Sequence, residues 1–213
     1  MKKVLFVCTG NTCRSPMAAA MFEKMAEEAG YDVNVRSAGV SAFPGGTASE
    51  HAIKVLRGRG IDGTLHRSSP LTREWVEWAD HIFTMTRDHR RMVVYTFPEA
   101  ADKADTLKGY VQGSTSVSRL DQLVAEFEAK RALLTNSNLA QGSPERMQME
   151  VEVKRLEESL QKEWRRSAAM EGDIVDPFGG NLTEYRRCAE EIEKLLLQIL
   201  AGWKQEEENP PSS

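Results

Sequence analysis

The stretch Cys8-Thr9-Gly10-Asn11-Thr12-Cys13-Arg14-Ser15 places a thiol and a guanidinium at the two ends of one short polar loop. The apolar run Val4-Leu5-Phe6-Val7 precedes it, and a helical segment opening at Ser15-Pro16 follows it, so the loop is expected at a strand-to-helix turn. Successive backbone N–H groups in such a loop can all face one anion. The helix N-terminus behind them adds a positive partial charge. The same field favours the thiolate, the nucleophilic form of cysteine. Arg14 brings a planar fork that can hold two phosphate oxygens at once. Together these residues describe a phosphate cradle in which Thr9, Gly10, Asn11, Thr12, Cys13 and Arg14 bind the anion and Cys8 attacks it. Ser15 can donate to the Cys8 sulfur and help keep it ionised. Two plainer readings are a structural Cys8–Cys13 disulfide and a zinc site. Three cysteines in 213 residues do not suggest a disulfide scaffold. Zinc takes four ligands, commonly in pairs, and no second Cys or His pair appears. Neither reading gives Arg14 a task.

The surrounding pattern says what must position this loop. Val4–Val7 reads as a fully buried strand. A helix follows to about Ala29 and stops at Gly30. Val33 and Val35 alternate with polar residues as a second strand. Helices are expected over Thr47–Arg57, over Thr72–Ala79 with Thr72 as N-cap, and over Asp88–Phe97, ending before Pro98. His81–Met85 is a third strand and Lys103–Leu107 a short fourth. Strands alternating with helices argue for an α/β fold with a four-stranded parallel sheet and helices on both faces. In such sheets ligands bind beyond the carboxyl ends of the strands, where Cys8 falls.

Residues 114–171 break that rhythm. Leu120, Leu123 and Phe127 recur at helical spacing, and so do Met149, Val153, Leu156, Leu160 and Trp164. Asn136-Ser137-Asn138 and Gly142-Ser143-Pro144 supply a turn between them, with Ser143 as N-cap and Pro144 in the first helical turn. This predicts an inserted antiparallel helical hairpin. The expected organisation is a main domain over 1–113 and 172–205, the hairpin over 114–171, and a disordered acidic tail over 206–213. The hairpin stripes read as intrachain packing, with a protein-partner face as the alternative.

Composition excludes several classes. Hydrophobic residues make up 40% and charged residues 28%, as in an ordinary globular protein. The net charge of -4 offers no general attraction to nucleic acid. No apolar run approaches the ~20 residues of a membrane span, and the polar Cys8–Thr12 segment cuts the N-terminal apolar run too short for a signal peptide. A cytoplasmic setting, in which Cys8 stays reduced, is expected.

On its motifs the chain resembles the low-molecular-weight protein tyrosine phosphatase family. Val4–Cys8 with Arg14-Ser15-Pro16-Met17-Ala18 is similar to its N-terminal signature. Arg36-Ser37-Ala38-Gly39 is similar to the segment after its second strand. Gly60-Ile61-Asp62 with His66-Arg67-Ser68 corresponds to the stretch before its third helix. Ala79–Thr86 corresponds to its third strand, and Asp176-Pro177-Phe178-Gly179-Gly180 to the loop that carries its general acid. The Cys-Thr-Gly-Asn-Thr-Cys-Arg-Ser version of the signature is similar to the bacterial protein-arginine-phosphatase branch. The tyrosine-type members usually carry larger apolar residues at the positions of Thr9 and Thr12.

The resemblance implies a hydrolase that removes phosphate from protein substrates through a phosphocysteine intermediate on Cys8. Asp176 would protonate the leaving group and then activate water. Asn11, Ser37 and His66 would hold the loop in shape, and Phe178 would line the cleft. Thr12 and Phe178 would set specificity, with phosphoarginine the expected substrate and phosphotyrosine the alternative. Cys13 could capture an oxidised Cys8 as a reversible disulfide, and Cys188 reads as core. No metal or other cofactor is called for, since Arg14 and the loop supply the positive charge. A related arsenate reductase would need further resolving cysteines, and none occurs between Cys13 and Cys188. A non-catalytic interaction protein would have no reason to retain Cys8, Arg14 and Asp176 together.

Overall fold

The computed structural model describes residues 1–112, 119–137, 139–169 and 172–208. Four strands, β1 (Lys2–Cys8), β2 (Val33–Gly39), β3 (His81–Thr84) and β4 (Ala104–Thr106), form one sheet in the order β2-β1-β3-β4. Every pairing is parallel. The chain therefore moves from β1 to one side, then crosses to the other. The gap opened at such a reversal, past the ends of the strands, is where ligands bind in this architecture.

Helices cover both faces because β1 is apolar on both. Val4 and Phe6 share a core with Met17 and Phe22 of α1 (Arg14–Glu28), Val55 and Leu56 of α2 (Glu50–Arg57), and Ile192, Leu196 and Trp203 of α8 (Leu182–Glu208). Leu5 and Val7 point the other way, onto Val76 of α3 (Arg73–Trp78) and Val93 of α4 (Arg87–Thr96). Successive side chains on a strand alternate in this way. Phe6 meets Phe22 edge-on at 5.6 Å, and Phe22 meets Trp203 at 5.7 Å. Burying each of these rings contributes about 2 kcal/mol. The Trp203 indole N–H is satisfied by the Tyr110 hydroxyl at 2.7 Å.

Several boundaries differ from the sequence expectations. The segment Arg36–Gly39 lies inside β2, not after it: Leu5 pairs with Arg36 and Cys8 with Gly39. The second helix starts at Glu50, not Thr47, because Ser49 caps it, accepting from the Ala52 N–H at 3.3 Å, while its own N–H is drawn to the Thr12 carbonyl. A short helix, α5 (Leu107–Val111), capped by Thr106, follows β4. The expected disordered tail begins too early. Residues 206–208 belong to α8, and the Tyr31 hydroxyl donates to Glu207 at 2.7 Å; residues 209–213 lie outside the described residues.

The chain divides into two compact units, Met1–Gly113 with Gly172–Ser213, and Ser114–Glu171. The second holds α6 (Arg119–Asn136) and α7 (Pro144–Ala169). Lys130 on α6 pairs with Glu152 on α7 at 2.7 Å, and Ser143 caps α7 through the Arg146 N–H. Leu123, Phe127, Met149, Val153, Leu156 and Leu160 are half-buried, and no described side chain of this unit is fully buried. The side chains of Leu120 and Trp164 lie outside the described residues. Among the described residues, no helix is long and apolar enough to cross a membrane.

Candidate active site

The loop after β1 is held by its carbonyls. The Cys8 and Thr9 carbonyls accept from the Val40 and Ser41 N–H groups at 2.9 and 3.0 Å. The Thr12 carbonyl accepts from the Ser49 N–H at 2.8 Å. His66 Nε2 donates to the Asn11 carbonyl at 2.7 Å, which assigns the proton to that nitrogen. Burial pushes the His66 pKa down, with the bond to Asn11 opposing it, so the ring serves as a neutral donor. With these carbonyls turned outward, the loop N–H groups are free to converge on an anion.

Among the described residues, Asn11 is the one non-glycine residue with positive φ, at 54°. Left-handed backbone strains an L-residue, and asparagine tolerates it best. Here the side chain also compensates. Fully buried, it donates to Ser15 and Ser37 hydroxyls at 2.9 Å each and accepts from the Ser69 N–H at 2.9 Å. Gly39 is required beneath it: a Cβ there would lie 2.5 Å from the Thr9 carbonyl oxygen and 2.9 Å from the Asn11 nitrogen. The structure thus brings Asn11, Ser15, Ser37 and His66 into one network. It also places the Ser15 hydroxyl 3.0 Å from Cys8 Sγ.

Arg14 opens α1 and is buried, with only 4% of its surface exposed. Its Nη1 donates to the Ile174 carbonyl at 3.2 Å and its Nη2 to Asp176 at 2.5 Å. Its Nε is buried without a partner among the described residues, so one edge of the fork stays available for an oxyanion. The segment bearing Asp176 is fastened to the ends of β3 and β4. The Ile174 N–H donates to the Met85 carbonyl, Lys108 Nζ to the Asp173 carbonyl at 3.0 Å, and both the backbone N–H and Nε of Arg87 to the Asp173 carboxylate. Asp176 accepts from the Phe178 N–H at 3.1 Å and is half exposed, while Phe178 projects with 78% of its surface exposed.

Cys13 is buried, and its Sγ lies 3.1 Å from the Tyr185 hydroxyl and 3.6 Å from that of Ser49. The Tyr185 pKa is pushed up to about 12, first by burial and then by the Cys13 contact. Cys188 is buried too, and burial pushes its thiol up to about 12, against the pull of Arg14. Thr12 is half-buried, with its hydroxyl 3.6 Å from the Cys13 sulfur. Among the described residues, no cluster of His, Cys, Asp and Glu is arranged to hold a metal ion.

Sequence reasoning did not single out His89, Asp173 or Tyr185. His89 Nε2 lies 2.8 Å from the Thr9 hydroxyl. A signal for it existed: Thr86 and His89 stand at the N-cap and third positions of α4, where a side chain can reach back to the cap. Nothing local connects Asp173 or Tyr185 to the loop.

The arrangement gathers a cysteine, a buried arginine and a carboxylate around one strand-to-helix loop, the residue types needed to attack a phosphoryl group, hold its oxygens and protonate its leaving group. The family model for "Low molecular weight phosphotyrosine protein phosphatase" matches residues 3–123. The protein-arginine-phosphatase of Geobacillus stearothermophilus is 44% identical over 194 residues, covering 91% of this chain and 90% of that protein. The protein-arginine-phosphatase of Bacillus subtilis is 35% identical over 203 residues, covering 95% and 97%. Among solved structures, the YwlE arginine phosphatase of Geobacillus stearothermophilus superposes with a TM-score of 0.68 at 34% identity, covering 100% of this chain and 99% of that one. A YwlE arginine phosphatase whose active-site cysteine is replaced by a phosphorylated serine superposes with a TM-score of 0.66 at 34% identity, covering 98% and 97%. With a matching family model over more than half its length, near-complete coverage of such relatives and a sheet edge built around Cys8 and Arg14, the chain belongs to the low molecular weight phosphotyrosine protein phosphatase family and is a cysteine-dependent protein phosphatase.

Proposed function

We propose that the protein removes phosphate from phosphoarginine side chains of proteins. Cys8 Sγ attacks phosphorus, the P–N bond breaks, and its electron pair leaves with the guanidine nitrogen, which takes a proton from Asp176. Water then attacks phosphorus, gives a proton to Asp176 and displaces the Cys8 thiolate, releasing inorganic phosphate. Arg14 and the loop N–H groups hold the equatorial oxygens throughout, so catalysis is chiefly positioning and charge stabilisation. The observation that carries this reading is the 2.5 Å pairing of Arg14 with Asp176. It sets the acid candidate and the phosphate-binding fork at one point; a bound phosphoryl group would take over the fork, and the carboxylate freed from the cation would take up the proton that it then passes to the leaving group.

The substrate class is supported by the names of the relatives that span nearly the whole chain, and by the polar Thr9 and Thr12 in the loop. A polar wall suits a guanidinium, and an apolar one suits an aromatic ring. Phosphotyrosine is the second reading, favoured by the family model and by relatives such as the tyrosine phosphatase Ptp of Acinetobacter johnsonii, 35% identical over 53% of this chain. Parallel assays of phosphoarginine and phosphotyrosine peptides decide between them: a higher kcat/KM for phosphoarginine is expected, and the reverse order would make the protein a tyrosine phosphatase. Cys8→Ser should lose turnover of both.

The reading extends to the setting. A reduced cytoplasm suits a thiolate nucleophile, with Cys13 as the thiol able to capture an oxidised Cys8. Residues 114–171 act as an accessory unit that meets the protein substrate or a partner, since the described core and loop residues all lie in the other unit.

A further inference from the structure

Thr9 follows the nucleophile and is the exposed residue of the loop. A threonine hydroxyl at a surface ordinarily turns among its rotamers. This one is held: His89 Nε2 lies 2.8 Å from it. His89 itself is 6% exposed, in the first turn of α4. Its Nδ1 lies 2.9 Å from the Thr86 hydroxyl, the same oxygen that caps α4 by accepting from the His89 N–H at 3.2 Å. Both ring nitrogens are therefore engaged, and the ring cannot turn over without losing two bonds. A histidine that merely filled space would not need to reach an exposed loop side chain.

We propose that His89 is a positioning residue for substrate recognition: it fixes the Thr9 hydroxyl at the cleft wall as a directed acceptor for the guanidinium N–H groups of the departing arginine. The inference rests on the phosphoarginine reading above. A guanidinium presents donors and no acceptor, so its recognition needs oxygen lone pairs aimed at it. A neutral imidazole offers one donor and one acceptor. The role requires the tautomer protonated at Nδ1: Nδ1–H then donates to the Thr86 oxygen, and the Nε2 lone pair takes the Thr9 proton, which turns the Thr9 oxygen lone pairs outward. The ring stays neutral because its pKa is pushed down to about 4, first by burial and then by Arg14, against the opposing pull of Asp176, Asp173 and Asp88. The same charges place His89 within electrostatic reach of the catalytic pair. An imidazolium would donate from both nitrogens and force Thr9 to spend a lone pair inward.

The test is a set of kcat/KM values for a phosphoarginine peptide and for p-nitrophenyl phosphate, with wild type, His89→Leu, His89→Gln, Thr9→Val and the His89→Leu/Thr9→Val double variant. His89→Leu should lower the phosphoarginine-to-aryl ratio by about tenfold, the scale of one directed hydrogen bond. His89→Gln, whose amide reaches the same hydroxyl, should recover most of the ratio. The double variant should lose no more than either single one, because the two changes remove one interaction. An unchanged ratio in His89→Leu, or losses that multiply in the double variant, overturns the role of His89. Should His89→Leu not fold, Thr9→Val carries the test alone, and an unchanged ratio there is equally decisive. Wild-type turnover of phosphoarginine tests the parent reading separately: its absence removes both proposals, whereas turnover with an unmoved ratio removes only this one.

Discussion

Arg14 and Asp176 stand 162 positions apart and meet at 2.5 Å. One is buried and the other half exposed. A buried cation at a helix start thus meets a carboxylate from a distant loop, which is also fastened by the Ile174, Lys108 and Arg87 bonds. The pairing also means that Asp176 competes with phosphate for the guanidinium.

That competition sets the first prediction. Asp176→Asn should lower kcat on phosphoarginine by about 10²–10⁴, the usual worth of a positioned acid or base. The same variant should bind inorganic phosphate more tightly, measured as product inhibition, because Arg14 is no longer neutralised. Weaker phosphate binding would show that Asp176 does not compete for Arg14.

Asn11 carries the loop's strain. Asn11→Ala removes three side-chain bonds of a buried residue and puts alanine at a positive φ. A stability loss of roughly 2–4 kcal/mol is expected in urea unfolding. Asn11→Gly should lose about 1 kcal/mol less, since glycine accepts this backbone without strain. If the two variants are equally stable, the left-handed backbone is not a cost at this position.

The threonine wall can be tested by enlargement. Thr12→Ile should shift the kcat/KM ratio toward phosphotyrosine by about 1–3 kcal/mol. An unmoved ratio assigns specificity to other residues.

His89 ties stability to pH. Its folded pKa of about 4 lies below the ordinary 6.5, so the unfolded chain binds the proton more readily. The contribution is fully present above pH 6.5 and is lost as pH falls from 6.5 toward 4. Burial pushes His66 and His81 down as well, which adds to the same trend. Urea midpoints at pH 7 and pH 5 should therefore fall with pH, and His89→Gln should reduce the drop. A drop as large as wild type in that variant would mean that His89 does not titrate in this range.

The second unit should be dispensable for folding. Lys108 of α5, before the segment, bonds the carbonyl of Asp173, after it, so the described residues on either side of 114–171 come together and a Gly/Ser linker is expected to replace the segment. The shortened protein should unfold cooperatively and retain activity on p-nitrophenyl phosphate. Loss of the folded state would show that the hairpin is part of the core.

The four-stranded sheet, its helices and the Cys8–Ser15 loop were legible in the chain because each is written in adjacent residues. β1 is apolar on both faces, Pro16 sits in the first turn of α1, and Thr72 caps α3 within its own turn. The end of β2 was less legible: Arg36 and Ser37 are polar, and only their pairing with Leu5 and Phe6 makes them strand. The polar residues 206–208 read as tail, yet the apolar stripe of α8 carries the helix through them and Tyr31 holds Glu207.

Sequence by itself determined the residue types and the local geometry, since helix caps, strand alternation and the strand-to-helix loop depend on neighbours a few positions apart. Tertiary structure alone decided which distant groups meet. Asp173 fastens Arg87, Tyr185 covers Cys13, and His89 reaches Thr9 because parallel strands bring the loops that follow them to one edge of the sheet, whatever their separation along the chain. A hydrogen bond has no sequence period, so contacts of this kind become visible only when the sheet order and register are known.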